Sequence, residues 1–302
     1  MTESNKNIFY FLLFLAMLSW GASWVNVKVL SSYINEFETM FLRFFITAIT
    51  MIPIILVLKK SFKIDLKSLG LVIITSIVFI CYMKYFFLGT KYGTASLGGA
   101  FVTTLIPINT FLILALFGEK KITKKDAFAL FIGAIGVLTM LNIWSFKTDE
   151  IFLIQNLYFI LASIFWPIIT ILSSKSTKIS PIVFTFYLYI ATSILNIIFF
   201  VDISKINYQS FDEIFYINLF VLTIIASTFA NTIYFLGIEK LGAREVSSFI
   251  FFVPFAAIIL SAFFLKEKIT PSIIIGTILT IIAVQILNNI KIRRKKKIEQ
   301  RD

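Results

Sequence analysis

The sequence predicts an all-α integral membrane protein of ten transmembrane helices, built as two related halves of five. Three observations carry this. Apolar residues fill 59% of the 302 positions, charged residues 15%, and mean hydropathy is +0.93; soluble domains hold about 45–50% apolar and about a quarter charged residues. The apolar residues gather in runs of about 20, the length a helix needs to cross roughly 30 Å of hydrocarbon while satisfying its own backbone hydrogen bonds. A stretch in the first half also recurs in the second. Ten-residue alternating segments, the mark of a membrane β-barrel, are not visible.

The first run, 8–30, carries Trp20 and Trp24. It is longer than the apolar core of a signal peptide, and its leader MTESNKN is not net basic, so it reads as a span. The second, 37–58, holds Arg43 near one end, where Glu36 or Glu38 is the expected structural partner. Lys59, Lys60, Lys63 and Lys67 fill the connection 59–67. The third run, 69–90, includes Cys81, Tyr82 and Lys84; the fourth, 94–117, includes Gly98, Gly99, Pro107 and Asn109. These two are the least cleanly separated. Lys120, Lys121, Lys124 and Lys125 crowd the next connection, where Thr123 and Asp126 resemble a capping box for the fifth run, 126–144.

The sixth run, 151–173, places Trp166 where the first places Trp20. Lys175 and Lys178 follow, and Ser180-Pro181 sets a capping hydroxyl before a proline at the start of the seventh run, 181–201. An acidic connection with Asp202, Asp212 and Glu213 leads to the eighth, 214–237, with Asn231 and Tyr234. The ninth, 243–265, contains Pro254, and Thr270-Pro271 opens the tenth, 271–290.

Lysine and arginine in the connections set the orientation. The rich connections at 59–67, 118–126 and 174–180 alternate with poorer ones, which places both termini in the cytoplasm. The formal net charge of +12 is concentrated in the tail KIRRKKKIEQR from Lys291 to Arg301. Directly after an apolar run, that cluster reads as a cytoplasmic anchor with a preference for anionic lipid. Nucleic acid is not an expected partner, because no folded soluble domain exists to present the patch.

One cysteine and no histidine exclude a disulfide framework, a zinc site and histidine acid–base catalysis. No cofactor or metal is expected. The acid, base or nucleophile constellation of a membrane-embedded enzyme is not visible, nor is a P-loop, nor the filter repeat of a channel.

The repeat is the most informative feature. Residues 89–123 read GTKYGTASLGGAFVTTLIPINTFLILALFGEKKIT, and 237–270 read GIEKLGAREVSSFIFFVPFAAIILSAFFLKEKIT. Gly89 matches Gly237, Gly93 matches Gly242, Pro107 matches Pro254, and Lys121-Ile122-Thr123 matches Lys268-Ile269-Thr270. Ala129 and Gly136 fall opposite Gly276 and Ala283. The predicted units are a first repeat at 1–145, a second at 146–290 and a basic tail at 291–302. Five crossings per half invert the second relative to the first, an arrangement that binds solute near mid-membrane and exposes it to each side in turn.

A small-rich entry, a proline, a long apolar run and a Glu-Lys…Ile-Thr close resembles the EamA family of the drug/metabolite transporter superfamily. Pro107 with Glu119-Lys-Lys-Ile-Thr123 and Pro254 with Glu267-Lys-Ile-Thr270 carry the resemblance, which spans essentially the whole chain. The first half departs by an extra lysine and by Ala129 in place of the usual glycine. The resemblance implies a central cavity lined by the first, third, fourth, sixth, eighth and ninth helices. It also implies transport of small metabolites, usually export, across a bacterial inner membrane, and it leaves the substrate open.

Polar groups inside a bilayer are costly and are therefore candidates for function. Lys84 lies well inside its run, where it binds a substrate carboxylate, titrates during transport, is paired structurally, or reaches toward the outer interface. Trp20 and Trp166 line the cavity or pack in the core. Tyr82, Asn109, Asn231 and Tyr234 orient a polar solute or bond neighbouring helices. Pro107 and Pro254 suggest kinks beside the cavity; Arg43, Glu119 and Glu267 read as structural or gating groups. The expected function is alternating-access transport of small metabolites, export of amino acids or related amphipathic compounds first. A charged nucleotide-type or cofactor metabolite, exchanged or imported, is the competing solute class.

Overall fold

A computed structural model describes residues 3–118, 121–145, 153–242, 245–246 and 248–287, and among them every long element is a helix. The first half comprises α1 (Glu3–Leu30), α2 (Glu36–Val57), α3 (Leu66–Tyr92), α4 (Ala95–Leu116) and α5 (Lys124–Met140). The second comprises α6 (Ile154–Ser174), α7 (Pro181–Phe199), α8 (Glu213–Leu241), α9 (Phe252–Phe264) and α10 (Pro271–Leu287). Glu119 and the basic tail lie outside the described residues.

Seven of these helices, α1 to α4 and α6 to α8, are long and apolar enough to cross a membrane. The other three are shorter than the apolar runs suggest. α5 has 17 residues and ends where Asn142 takes a positive φ of 53°. α9 begins only at Phe252, after a 3-10 turn at Ser248–Phe251. Pro254 therefore sits in the first turn of α9 rather than mid-helix, where its missing N–H costs no ladder bond. Pro107 does lie inside α4.

Local signals explain most boundaries. Thr123 and Asp126 form the expected capping box, with Thr123 N donating to Asp126 Oδ2 at 3.0 Å and Asp126 N to Thr123 Oγ1 at 3.2 Å. Asn35 and Glu38 form a second box at the start of α2, unforeseen from the sequence. Pro181 takes the first turn of α7, but Ser180 makes no capping bond. Gly242 ends α8 at a φ of 88°, a conformation only glycine adopts without strain.

Contacts at the helix ends fix the course of the chain. At a lysine-rich end, Lys6 pairs with Glu245 at 3.1 Å and Lys60 with Glu239 at 2.9 Å. Ser176 meets Ser68 there at 3.0 Å. The starts of α1 and α3 thus share this end with the finishes of α2, α6 and α8. At the opposite end, Lys28 Nζ donates to the carbonyls of Lys91 and Gly93 at 2.7 and 2.6 Å, and Phe37 stacks on Phe200 at 4.4 Å. Tyr92 faces Tyr158 near the start of α6 at 6.5 Å. α1 runs away from the lysine-rich end and α6 runs toward it.

The halves interlock rather than sit apart. α3 packs on α6 and α1 on α8; α4 meets α9, and α5 meets α10. Small residues permit the close crossings. A Cβ on Gly99 would stand 2.3 Å from Ala257 Cβ, and one on Gly276 would stand 2.5 Å from the carbonyl oxygen of Gly136. Phe11, Ile49, Ile77, Phe131, Ile198 and Ile259 point outward as an exposed apolar belt, as lipid-facing residues do.

Candidate functional site

Interior polar groups converge on the seam between α2 and α8. Arg43, Thr47 and Thr50 recur at helical spacing on one face of α2. Arg43 is only 7% exposed; its Nε donates to Ser227 Oγ at 3.0 Å, and its Nη1 has no hydrogen-bond partner. Thr47 Oγ1 reaches the carbonyl of Thr223 at 3.3 Å, and the hydroxyls of Thr50 and Thr228 lie 2.7 Å apart. Their partners on α8 occupy a stretch of π-helix, Val221–Phe229. There Ser227 Oγ donates to Leu222 O at 2.8 Å and Thr228 Oγ1 to Thr223 O at 3.1 Å, each five residues back. Such widened turns displace backbone carbonyls from their usual partners and recur at functional sites.

Aromatic rings enclose this seam. Tyr189 on α7 stacks on Phe44 at 4.8 Å, and its hydroxyl accepts Asn231 Nδ2 at 2.7 Å. Tyr82 on α3 packs against Trp166 on α6 at 4.8 Å. The Arg43 guanidinium lies 5.3 Å from the centre of the Phe44 ring. On α7, Tyr189, Thr192 and Asn196 share a face, and both Thr192 Oγ1 and Asn196 Oδ1 are buried without partners.

The structure gathers some predicted residues and separates others. Tyr82 meets Trp166, and Asn231 meets Tyr189, whose ring stacks on the Phe44 ring beneath Arg43. Trp20 packs on Tyr234 at 5.1 Å, one turn along α8 from Asn231. Each half thereby sends the tryptophan of its first helix onto a tyrosine of the other half's third helix. Asn109 is committed elsewhere, donating to Ser163 O at 3.0 Å and Ser163 Oγ at 2.9 Å across α4 and α6. Lys84 is half-buried, with its Nζ 5.9 Å from the Phe37 ring at the start of α2. Pro107 and Pro254 line one narrow crevice together with Thr103 and Thr104. Glu267 caps α4 from the other half, accepting Ala95 N at 2.8 Å and Ser96 N at 2.9 Å.

Arg43 corrects the sequence reading. It pairs with neither Glu36 nor Glu38, because the Glu38 carboxylate is occupied by the backbone N–H of Asn35 at 2.9 Å. Tyr189, Ser227, Thr192 and Asn196 were not foreseen. The polar residues of α7 stand in the sequence as a spaced series, but nothing in that spacing says which partner helix they face.

A second crevice opens at the end opposite Lys6 and Lys60. It is lined by Val27, Ser31, Glu36, Thr39, Phe87 and Lys91. Thr39 lies one turn before Arg43 on the same face of α2. The lysine-rich end is held by Glu245, whose carboxyl the Tyr10 hydroxyl, and then Lys6, keep below the usual carboxylate range. At the opposite end the Phe215 backbone N–H, with the Tyr33 hydroxyl, holds the Asp212 carboxyl down.

The model of the EamA-like transporter family matches this chain twice in succession, at residues 7–142 and 153–289. An S-adenosylmethionine uptake transporter of Rickettsia bellii (strain RML369-C) is 28% identical over 192 residues, 61% of each chain. A Bacillus subtilis (strain 168) protein, "Uncharacterized transporter YyaM", is 25% identical over 179 residues, 58% of each. The matched stretch thus spans about three fifths of each of these relatives. A solved crystal structure superposes with a TM-score of 0.62 at 16% identity, over 95% of this chain and 99% of that one. That likeness concerns the fold alone.

Proposed function

The chain belongs to the EamA-like transporter family, and from that premise we propose that it moves small metabolites by alternating access between two inverted five-helix halves. It is a multi-pass membrane protein and a transporter rather than an enzyme. The proposal adds ten crossings, halves at 1–145 and 146–290, and both termini in the cytoplasm of a bacterial inner membrane. α5, α9 and α10 complete the count as short spans: at 1.5 Å per residue, the 17 residues of α5 and of α10 give about 26 Å, close to the thinner bilayers, while the 13 of α9 give about 20 Å and the four-residue 3-10 turn before it adds about 8 Å.

The observation that carries the mechanism is the crosswise packing of the halves. Trp20 on Tyr234 and Trp166 on Tyr82 tie each half to the other around a polar centre, and α1 and α6 run in opposite directions. An interface shared equally by inverted halves can open on either side of a fixed site by rocking one half against the other. Tyr82, Trp166 and Asn231, with Trp20 and Tyr234 beside them, are the proposed solute-contacting residues. Lys28 with the α3–α4 turn, and Lys6 with Glu245, are the proposed closures at the two ends.

The solute class we favour is an amino acid or related amphipathic compound, with export the expected direction. S-adenosylmethionine, named for the Rickettsia relative, is itself an amino-acid derivative and belongs in the same panel. The test is counterflow and uptake in proteoliposomes, using amino acids, S-adenosylmethionine and nucleotides under proton and sodium gradients. Saturable movement of at least one solute, reduced by Trp166→Ala, is the expected result. A chain that moves none of them under any gradient overturns the proposal.

A further inference from the structure

We infer that Arg43 anchors a carboxylate-binding site in the transport path, and that the transported solute carries a free carboxylate. The inference rests on the transporter reading above and adds a substrate class to it.

The first argument is charge balance. Arg43 is 7% exposed, and the groups it touches, the Ser227 hydroxyl and the Phe44 ring, are uncharged. Among the described side chains, every Asp and Glu lies in a connection or in the first or last turn of a helix. Among the described residues none of these carboxylates forms an ion pair with Arg43. A guanidinium taken out of water without a counter-anion is costly, and intramembrane cations are rare unless they pair or serve a pathway.

The second argument is geometry. Ser227 fixes the guanidinium through Nε, which leaves Nη1 as a donor with nothing to bind. Guanidinium forks match carboxylates, and such charge-assisted bonds are among the strongest available. The Tyr189 ring stacks on Phe44, the ring that faces the guanidinium, and its hydroxyl can donate to the second carboxylate oxygen. Beyond Tyr189, on the same face of α7, the unpartnered Thr192 Oγ1 and Asn196 Oδ1 offer acceptors to the rest of the solute. Phe44 supplies an apolar flank.

The experiment compares matched pairs in proteoliposome counterflow: amino and hydroxy acids against their primary amides, with organic phosphates and primary amines alongside. Wild type should exchange carboxylates and reject the amides. Arg43→Gln should lower carboxylate exchange about tenfold or more. Arg43→Lys should retain part of it, since it keeps the charge and loses the planar fork. Glu38→Gln, at a helix cap, should leave the rate unchanged. Equal exchange of amides, preference for phosphates or amines, or full carboxylate exchange by Arg43→Gln would each overturn the inference. If Arg43→Gln does not fold, the carboxylate–amide comparison on wild type still decides. Wild type that exchanges no solute at all brings down the transporter reading first, an outcome distinct from any of these.

Discussion

Two cations in the long helices, Arg43 and Lys84, meet different surroundings: the Ser227 hydroxyl binds the first, and the Phe37 ring faces the second. Lys84 stands deeper in its apolar run and draws attention there. In the structure its long stem carries the ammonium to the Phe37 ring near the start of α2. A cation over an aromatic face of that kind is worth about 0.5–1 kcal/mol, so Lys84→Ala should leave transport near wild-type rates and lower stability slightly. Proteoliposome uptake checks this, and a tenfold loss would return Lys84 to the site. Arg43 sits close in sequence to two glutamates, and proximity in sequence suggested a pair. The capping box takes Glu38 away, and the bend of the chain into α2 turns Arg43 inward instead. Sequence spacing exposes both charges but not which of them a neighbouring helix will shield. At the lysine-rich end, Glu245 is held ionised by Tyr10 and Lys6. A carboxylate with a depressed pKa stabilises fully above its ordinary value of 4.5 and loses that contribution as pH falls through the lower, folded value. The group is partly exposed, so the effect is about 0–1 kcal/mol. Melting of the purified protein between pH 7 and pH 3 should show a modest acid destabilisation that Glu245→Gln diminishes.

At the scale of the element, run length and capping chemistry were enough to place the long helices to within a few residues. α3 and α4 are divided by only Gly93 and Thr94, yet Thr94 caps α4 through its side chain and keeps them apart. α9 and the π stretch of α8 were not legible. Hydropathy reads Phe249–Phe251 as part of the span because a 3-10 turn and an α-helix can hold the same apolar residues. The π stretch leaves no compositional mark either, since one extra residue per turn shifts hydrogen bonds without changing which residues are apolar. Close helix crossings are more readable, because they require small residues at matched places. Gly136 and Gly276, singled out by the repeat, turn out to face one another across α5 and α10. A side chain on Gly276 meets both the Gly136 carbonyl and Met140, and backbone cannot yield as a flexible side chain can. Gly276→Val should therefore destabilise by about 1–3 kcal/mol. Gly70→Val, where nothing lies within 4 Å, should be far milder. Thermal denaturation in detergent distinguishes the two, and equal losses would mean that the α5–α10 contact is loose.

Across the whole molecule, the internal repeat and the charge bias converge on the same architecture by independent routes. The repeat says that the halves are alike; the lysines say which ends share a side of the membrane. The structure joins these, since Lys6, Lys60 and Ser176 all come to one end although they belong to different halves. Inversion makes a sharp demand on the connections that follow the second helix of each half. The α2–α3 connection carries Ser61 and the α7–α8 connection carries Ser204, both exposed. In a parallel duplication the two would emerge on one side of the membrane; in an inverted one they must emerge on opposite sides. Cys81 is the chain's only cysteine, so Cys81→Ala gives a clean background for single substitutions. Ser61→Cys should react with a membrane-impermeant maleimide only when the cytoplasmic face is accessible. Ser204→Cys should react from the outside of intact cells. Thr177→Cys, in the α6–α7 connection, should behave like Ser61→Cys although it lies in the second half. Labelling of Ser61→Cys and Ser204→Cys from the same side would remove the inversion, and with it the reason one buried site can face both compartments.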